Sequence, residues 1–111
     1  MLARPNRLTR GADYKAVVRR GARSVGSHTV LYVVHTDEDR AARFGFIVSK
    51  QVGTAVTRNT VRRRLKAISA EALPDVRRGA DVVIRALPSA AGAGFDHLQA
   101  EVVKGLRRRA A

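Results

Sequence analysis

Apolar residues recur at helical spacing in three parts of the chain, and this pattern predicts three helices. The first covers residues 9–20. The second covers residues 55–73 and stops at Pro74, because proline cannot continue a helix. The third begins near Phe95 and closes in the arginines at 107–109, whose positive charge suits the carboxyl end of a helix.

Residues 29–36, 43–49 and 81–87 are rich in β-branched and aromatic residues and predict strands. The acidic triplet at 37–39 suits a turn, so we expect the first two strands to pair as a hairpin. The small residues at 89–94 predict a flexible connection. Strands set among helices in this order are typical of an α+β domain with a small sheet.

The second helix has two chemically distinct sides. Val61, Leu65, Ile68 and Ala72 follow helical spacing and form one apolar stripe, which predicts the core-facing side. The opposite side and its flanks carry polar and cationic residues: Arg58, Asn59, Arg62, Arg63, Arg64 and Lys66. A solvated charged face is the simpler interpretation, but no Asp or Glu occurs from residue 41 to residue 70. This uncompensated charge favours a surface that lies along phosphates.

The overall charge narrows the class of partner. The 111 residues include 22 Lys and Arg against 9 Asp and Glu, a formal net charge of +13, while 45% of residues are hydrophobic. Such a chain folds as one domain but repels itself unless a polyanion such as nucleic acid neutralises it. We expect one RNA-binding domain over residues 1–111, with residues 1–8 as a flexible basic lead-in and residues 107–111 as a flexible tail.

Several other classes are disfavoured. The chain has no cysteine, which excludes disulfides and thiolate metal sites. No apolar run approaches the roughly 20 residues that cross a bilayer, and the first residues are too polar for a signal peptide. We therefore expect a cytoplasmic protein without a membrane partner.

No self-sufficient catalytic site is predicted. His28, His35 and His97 are scattered, and no carboxylate stands at metal-ligand or triad spacing from them. Gly45 and Gly53 lack the pattern of a phosphate-binding loop. We predict no catalytic and no metal-ligating residue, and a protein that contributes binding while another component supplies the reacting groups.

The aromatic residues leave two interpretations open. If the helices cover one face of the sheet and the other stays open, Tyr14, Tyr32 and Phe44 or Phe46 line a surface on which single-stranded bases stack. Alternatively, these side chains pack in the core.

The segment at 46–66, FIVSKQVGTAVTRNTVRRRLK, resembles the signature of the bacterial ribonuclease P protein subunit family. That signature is a strand ending in V-S-K-K, then G-N-A-V, then an arginine-rich R-N-R helix. The resemblance continues downstream to the strand at 81–86 and the terminal helix. Upstream it includes Asn6-Arg7-Leu8, Tyr14, Arg20-Gly21 and Leu31-Tyr32, so it covers essentially the whole chain. Single positions depart from the pattern: Gln51, Thr54, Thr60 and Ala67.

The resemblance implies a fold and two binding surfaces. The fold is a small mixed sheet with three helices in the order α-βββ-α-β-α, similar to the second domain of ribosomal protein S5, with a left-handed βαβ crossover. The implied RNA-binding residues are Lys50, Arg58, Asn59, Arg62, Arg63 and Lys66. The implied cleft for the 5′ leader of precursor tRNA contains Tyr14, Val18, Tyr32 and Val34.

The resemblance also implies a function. A catalytic RNA subunit, aided by Mg²⁺ bound mainly by that RNA, would remove the 5′ leader of precursor tRNA, with one copy of the protein per RNA. The main alternative is a ribosomal or other structural RNA-binding protein without a catalytic role. A DNA-binding module lacks support because helix-turn-helix spacing is missing, and an autonomous nuclease lacks clustered carboxylates.

Overall fold

A computed structural model describes residues 2–111 and contains three α-helices and one four-stranded sheet. Shorter 3₁₀ turns connect several of these elements. In chain order the elements are α1 (Gly11–Arg20), β1 (Ala22–Val25), β2 (Thr29–Val34), β3 (Arg43–Ile47), α2 (Ala55–Ala72), β4 (Asp81–Ala86) and α3 (Phe95–Arg109). The order α-βββ-α-β-α and the α+β class are confirmed.

The strand order is β1-β2-β4-β3, so the predicted hairpin between residues 29–36 and 43–49 is wrong. β4 lies between β2 and β3, antiparallel to the first and parallel to the second. The physical reason is burial: five of the six β4 residues are buried, which requires a central position. The unit β3-α2-β4 is a parallel crossover, and its left-handed sense stays a prediction.

β1 has no counterpart among the strands that the hydrophobic pattern predicts. Its sequence, Ala-Arg-Ser-Val, is short and mostly exposed, so it carries no alternation of buried and exposed residues. It forms because it pairs in register with β2 at the sheet edge. Pairing with a neighbour therefore determines this strand more than local propensity does.

Helices cover both faces of the sheet, but unequally. α2 and α3 pack on one face, where Phe44, Leu31 and Ile84 are fully buried. The apolar stripe of α2 is in this core as predicted, with Leu65 and Ile68 at 0% exposure. α1 packs on the other face, where Val17 meets a smaller cluster. The Phe44 side chain is core, which decides between the two interpretations for that residue.

Both expected flexible ends are packed in the structure. In the lead-in, Leu2 and Leu8 are buried, and the Asn6 side-chain amide donates to the Ala42 carbonyl at 3.0 Å. At the other end α3 continues through Arg109, and the buried Ala110 accepts a hydrogen bond from Arg77 N at 2.8 Å. Long-range contacts that a basic sequence does not reveal hold both ends.

The segment at 89–94 is also ordered, where the small residues predict a flexible connection. It contributes to a 3₁₀ turn at Pro88–Ala91, and Ala90 and Ala93 are buried in the main core. Small side chains are used here because they fit closely against that core.

A buried carboxylate fixes one end of the sheet. Asp81, 7% exposed at the start of β4, accepts from Arg43 Nε and Nη2 at 2.9 Å each. Arg40 Nη2 lies 3.0 Å from the same carboxylate, and Arg40 Nε reaches Glu38 at 2.9 Å. The hydrogen bond to Asp81 raises the pKa of Arg43.

The turn that precedes β4 needs a glycine. Gly79 has φ +82°, and a Cβ there would lie 2.7 Å from the Glu38 carbonyl oxygen. Its amide donates to the Arg40 carbonyl and its carbonyl accepts from the Thr36 hydroxyl, both at 2.8 Å. The acidic triplet thus lies in a loop, as predicted, and Gly79 ties that loop to β4.

We expect Asp81→Ala to lower the free energy of unfolding by about 2 to 3 kcal/mol, because both guanidinium groups lose their shared carboxylate. Urea denaturation measures the change. Asp39→Ala is the matched control, since Asp39 pairs with Arg78 but its side chain is 94% exposed, and it should cost less than about 0.5 kcal/mol. Equal losses in the two variants would contradict the role of the buried cluster.

Candidate nucleic-acid interface

The start of α2 is fixed by a cap and a glycine. Thr54 is the N-cap residue, and its Oγ1 accepts from Thr57 N at 3.3 Å. Gly53 precedes it with φ +154°, and a Cβ there would lie 3.0 Å from the Thr57 side chain. Threonine is a good N-cap residue, so the departure at position 54 preserves the helix start. This start sets which residues of α2 face the core and which face solvent.

The predicted RNA-binding residues lie together on and beside α2. Asn59 and Arg63 are exposed, and Arg58, Arg62 and Lys66 are half-buried. Lys50 is exposed in the 3₁₀ turn Lys50–Val52, directly before α2. We call these six residues the basic face: Lys50, Arg58, Asn59, Arg62, Arg63 and Lys66.

The cations of the basic face have no acidic partner within residues 2–111. Within the face, Arg62 Nη1 donates to Asn59 Oδ1 at 2.8 Å, which orients one guanidinium along the helix. Arg64 does not join it, because its guanidinium donates to the Ala93 carbonyl at 3.2 Å. Arg64 therefore ties α2 to the segment before α3.

Arg58 carries an unmet hydrogen-bond donor. Its Nε is buried, and no acceptor among the described residues bonds to it. An unsatisfied buried donor costs about 1 to 3 kcal/mol, and a charged one costs more. A guanidinium suits a phosphate ligand at the first turns of α2, although the buried Nε itself is out of reach of such a ligand.

A groove of about 480 Å³ opens on the other face of the sheet, between α1 and β3. Val18, 37% exposed, is its apolar wall, and two cations stand beside it. We call this the α1 groove, lined by Tyr14, Lys15, Val18, Arg19 and Ile47. Its apolar groups suit the bases of a single-stranded nucleic acid, and its cations suit the phosphates.

Tyr14 is held rigidly in the wall of the groove. Its hydroxyl donates to the Leu8 carbonyl at 3.3 Å and accepts from Phe46 N at 3.2 Å. The ring lies over Gly45, where a Cβ would come within 2.5 Å of the ring. The glycine in β3 therefore makes room for the aromatic ring.

The structure does not bring all four predicted cleft residues into the groove. Tyr14 and Val18 line it, but Tyr32 is only 6% exposed and packs beneath α1 against Val17 and Val83. Val34 lies at the far end of β2, paired with Asp81. Tyr32 is thus a core residue, because α1 crosses the sheet directly above it.

The sheet register shows which residues continue the floor of the groove. Arg85 pairs with Val30 on one side and with Ile47 on the other, so all three project from the same face. Arg85 is exposed, and Val25 of β1, next in this row, is 64% exposed. A charged residue inside the otherwise buried β4 is the sequence signal that could have identified this open face.

The basic face and the α1 groove lie at the same end of the sheet. Ile47 ends β3 in the groove, and Lys50 follows three residues later at the start of the basic face. The acidic loop at 37–39 and Asp81 lie at the opposite end. A single RNA, or two RNAs held side by side, can therefore contact both surfaces without approaching the acidic loop.

A second concavity of about 500 Å³ lies between the β1–β2 turn and α3, but it has a structural role. The Glu101 carboxylate within it accepts from Ser27 N at 2.7 Å, from His28 N and from the Thr29 hydroxyl. These bonds hold the turn against α3. The carboxylate is fully used there, so we assign the candidate site to the basic face and the α1 groove.

Within residues 2–111 no three His, Asp or Glu side chains cluster in a way that could hold a metal ion. Over the same residues, no helix combines the length and the apolar character needed to cross a membrane.

Comparison with known proteins gives one consistent result. The family model described as Ribonuclease P matches residues 2–110. The "Ribonuclease P protein component" of Clavibacter michiganensis is 50% identical over 108 residues, covering 97% of this chain and 96% of that protein. The protein of the same name from an Arthrobacter species is 46% identical over 101 residues, covering 91% of this chain and 74% of that protein.

Solved structures agree in fold. The RNase P protein of Staphylococcus aureus superposes with a TM-score of 0.83 at 22% identity, covering 93% of this chain and 94% of that one. The RNase P protein of Thermotoga maritima gives 0.83 at 19% identity, covering 95% and 98%. At these identities the likeness shows the arrangement of the helices and strands.

Proposed function

The chain belongs to the bacterial ribonuclease P protein family, and from this premise we propose that it binds both the catalytic RNA of ribonuclease P and the 5′ leader of precursor tRNA. As a subunit of ribonuclease P it is part of an endoribonuclease. The proposal assigns the basic face to the catalytic RNA and the α1 groove to the leader. Because precursor tRNA is made in the bacterial cytoplasm, the proposal places the protein there.

The observation that carries this proposal is the pairing of two different surfaces at one end of the sheet. The basic face has cations without acidic partners, which suits the closely spaced phosphates of a folded RNA. The α1 groove adds an apolar wall at Val18 and cations at Lys15 and Arg19, which suits a single strand. A purely structural RNA-binding protein has no need for the second surface.

The proposed division of labour leaves bond cleavage to the RNA. Mg²⁺ in that RNA would activate water and stabilise the leaving oxygen. We propose that this Mg²⁺ is bound mainly by the RNA. The protein lowers the repulsion between two polyanions and holds the leader, and we propose one copy per catalytic RNA.

Reconstitution tests the proposal directly. At low millimolar Mg²⁺, a bacterial ribonuclease P RNA should cleave precursor tRNA at the mature 5′ end much faster with this protein than without it, because phosphate repulsion is reduced. Gel separation of the 5′ fragments measures the rate. Protein alone should give no cleavage. Tight RNA binding without stimulation would favour a structural RNA-binding protein.

The basic face is tested by reversing its charge. We expect Arg58→Glu, Arg62→Glu and Arg63→Glu together to weaken binding to the catalytic RNA at least a hundredfold and to reduce the salt slope of log affinity by about 2 to 3. Filter binding at several salt concentrations measures both.

The matched control reverses three exposed arginines at the other end of the molecule: Arg77→Glu, Arg108→Glu and Arg109→Glu. This control changes the net charge by the same amount as the variant of the basic face. An effect that both variants share therefore reflects overall charge. The same loss in both variants would show that the basic face is not the binding surface.

The α1 groove is tested at its exposed apolar wall. Val18→Asp should weaken binding of the holoenzyme to precursor tRNA about tenfold, because it removes an apolar contact and repels leader phosphates. Binding of mature tRNA should not change. Ala16→Asp, exposed on the same helix outside the groove, is the control. Equal effects on precursor and mature tRNA would contradict the leader assignment.

A further inference from the structure

The lead-in segment carries three evenly spaced cations along the edge of the sheet. Arg4, Arg7 and Arg10 are all exposed. No acidic partner lies within 4.0 Å of any of them among residues 2–111. We call these three residues the edge strip. The edge strip belongs neither to the basic face nor to the α1 groove, so its charge has no role in the function proposed so far.

The backbone that carries the edge strip is ordered by contacts with the sheet. Asn6, 7% exposed, donates to the Ala42 carbonyl, and Leu8 N donates to the Phe44 carbonyl at 2.8 Å. Arg7 forms a parallel bridge with Phe44 of β3. The strip therefore presents its guanidinium groups from a preformed track, which reduces the entropy lost when a ligand binds.

The strip lies at the sheet edge, between the face on which α2 packs and the face on which the α1 groove opens. β3 is an edge strand, and the lead-in runs along its outer side. α2 packs on one face of the sheet, while the α1 groove opens on the other. A strand that leaves the groove at this edge would pass over the strip.

The strip is joined to the groove more directly than to α2. The Leu8 carbonyl, between Arg7 and Arg10, accepts the Tyr14 hydroxyl in the groove wall. Arg10 is the N-cap residue of α1, and its carbonyl accepts from Tyr14 N at 3.2 Å. Lys15 and Arg19, one helical turn apart, line the groove from the same helix. The cations thus form one series from the groove outward: Arg19, Lys15, Arg10, Arg7 and Arg4.

The one acid of α1 forms no ion pair with this series. Asp13 is half-buried, and no cation among residues 2–111 lies within 4.0 Å of its carboxylate oxygens. The guanidinium groups of the edge strip are therefore not paired with it.

We propose that the edge strip binds the phosphates of the distal part of the precursor leader, beyond the nucleotides held in the α1 groove. This inference rests on the proposed assignment of the groove to the leader. The ligand is a single-stranded RNA backbone read by charge alone, without base contacts. Longer leaders would then bind more tightly than leaders that end in the groove.

The test compares leader lengths in the reconstituted holoenzyme. The variant carries Arg4→Gln, Arg7→Gln and Arg10→Gln, which change exposed side chains and keep the backbone bonds of the lead-in. We expect it to bind precursor with a long leader about tenfold more weakly, and precursor with a one- or two-nucleotide leader as the wild type does. The salt slope for the long leader should fall by about 2, since each single-strand phosphate contact contributes about 0.7.

Two controls isolate the cause. Arg77→Gln, Arg108→Gln and Arg109→Gln remove the same charge from exposed arginines outside the edge strip and should leave the leader-length dependence intact. Replacing the strip residues by lysine should restore most of the lost affinity, because lysine keeps the charge. Thermal unfolding of each variant confirms that the fold persists.

Three outcomes overturn the proposal, and they are distinguishable. A strip variant that keeps the full leader-length dependence shows that the strip does not bind the leader. A loss confined to binding of the catalytic RNA alone, equal at all leader lengths, assigns the strip to that RNA instead. A wild-type holoenzyme whose affinity is independent of leader length overturns the strip and the leader assignment of the groove together.

Discussion

The parallel pairing of β3 with β4 is the constraint on which the rest of the molecule depends. Two parallel neighbours need a connection that returns across the sheet, and α2 is that connection. Its apolar stripe must face the sheet, so its cationic side must face solvent. The same pairing leaves β3 at the edge, where the lead-in covers its outer side and Ile47 opens into the α1 groove.

The buried and half-buried carboxylates that hold the fold together lie away from the three cationic surfaces. At one end of the sheet Asp81 is shared by Arg40 and Arg43, and Glu38 pairs with Arg40. On α3, the Glu101 carboxylate accepts hydrogen bonds from the β1–β2 turn and from Thr29 at the start of β2. The basic face, the groove and the edge strip have no such partners among the described residues. Because unpaired like charges repel, they destabilise the folded protein, and a bound polyanion removes this repulsion.

How much the sequence predicts depends on whether the signal is local. The stripe at Val61, Leu65 and Ile68 and the cations opposite it could be predicted because helical periodicity fixes both sides at once. β1 could not be predicted, because it is short and mostly exposed and its conformation depends on pairing with β2. The lead-in could not, because it is ordered by a buried hydrogen bond from Asn6 to a residue 36 positions away. The resemblance implies that Tyr32 lies in the cleft, but the pattern of its strand fixes neither the face on which Tyr32 lies nor the position of α1, which covers it.

Tyr14 shows why the groove and the edge of the sheet behave as one unit. Its hydroxyl links the Leu8 carbonyl of the lead-in to Phe46 N of β3, and its ring fills the space above Gly45. The groove wall is therefore tied both to an edge strand and to the segment that covers that strand. Any ligand that moves α1 must also strain the lead-in, so a preformed groove is favoured over one that closes around its ligand.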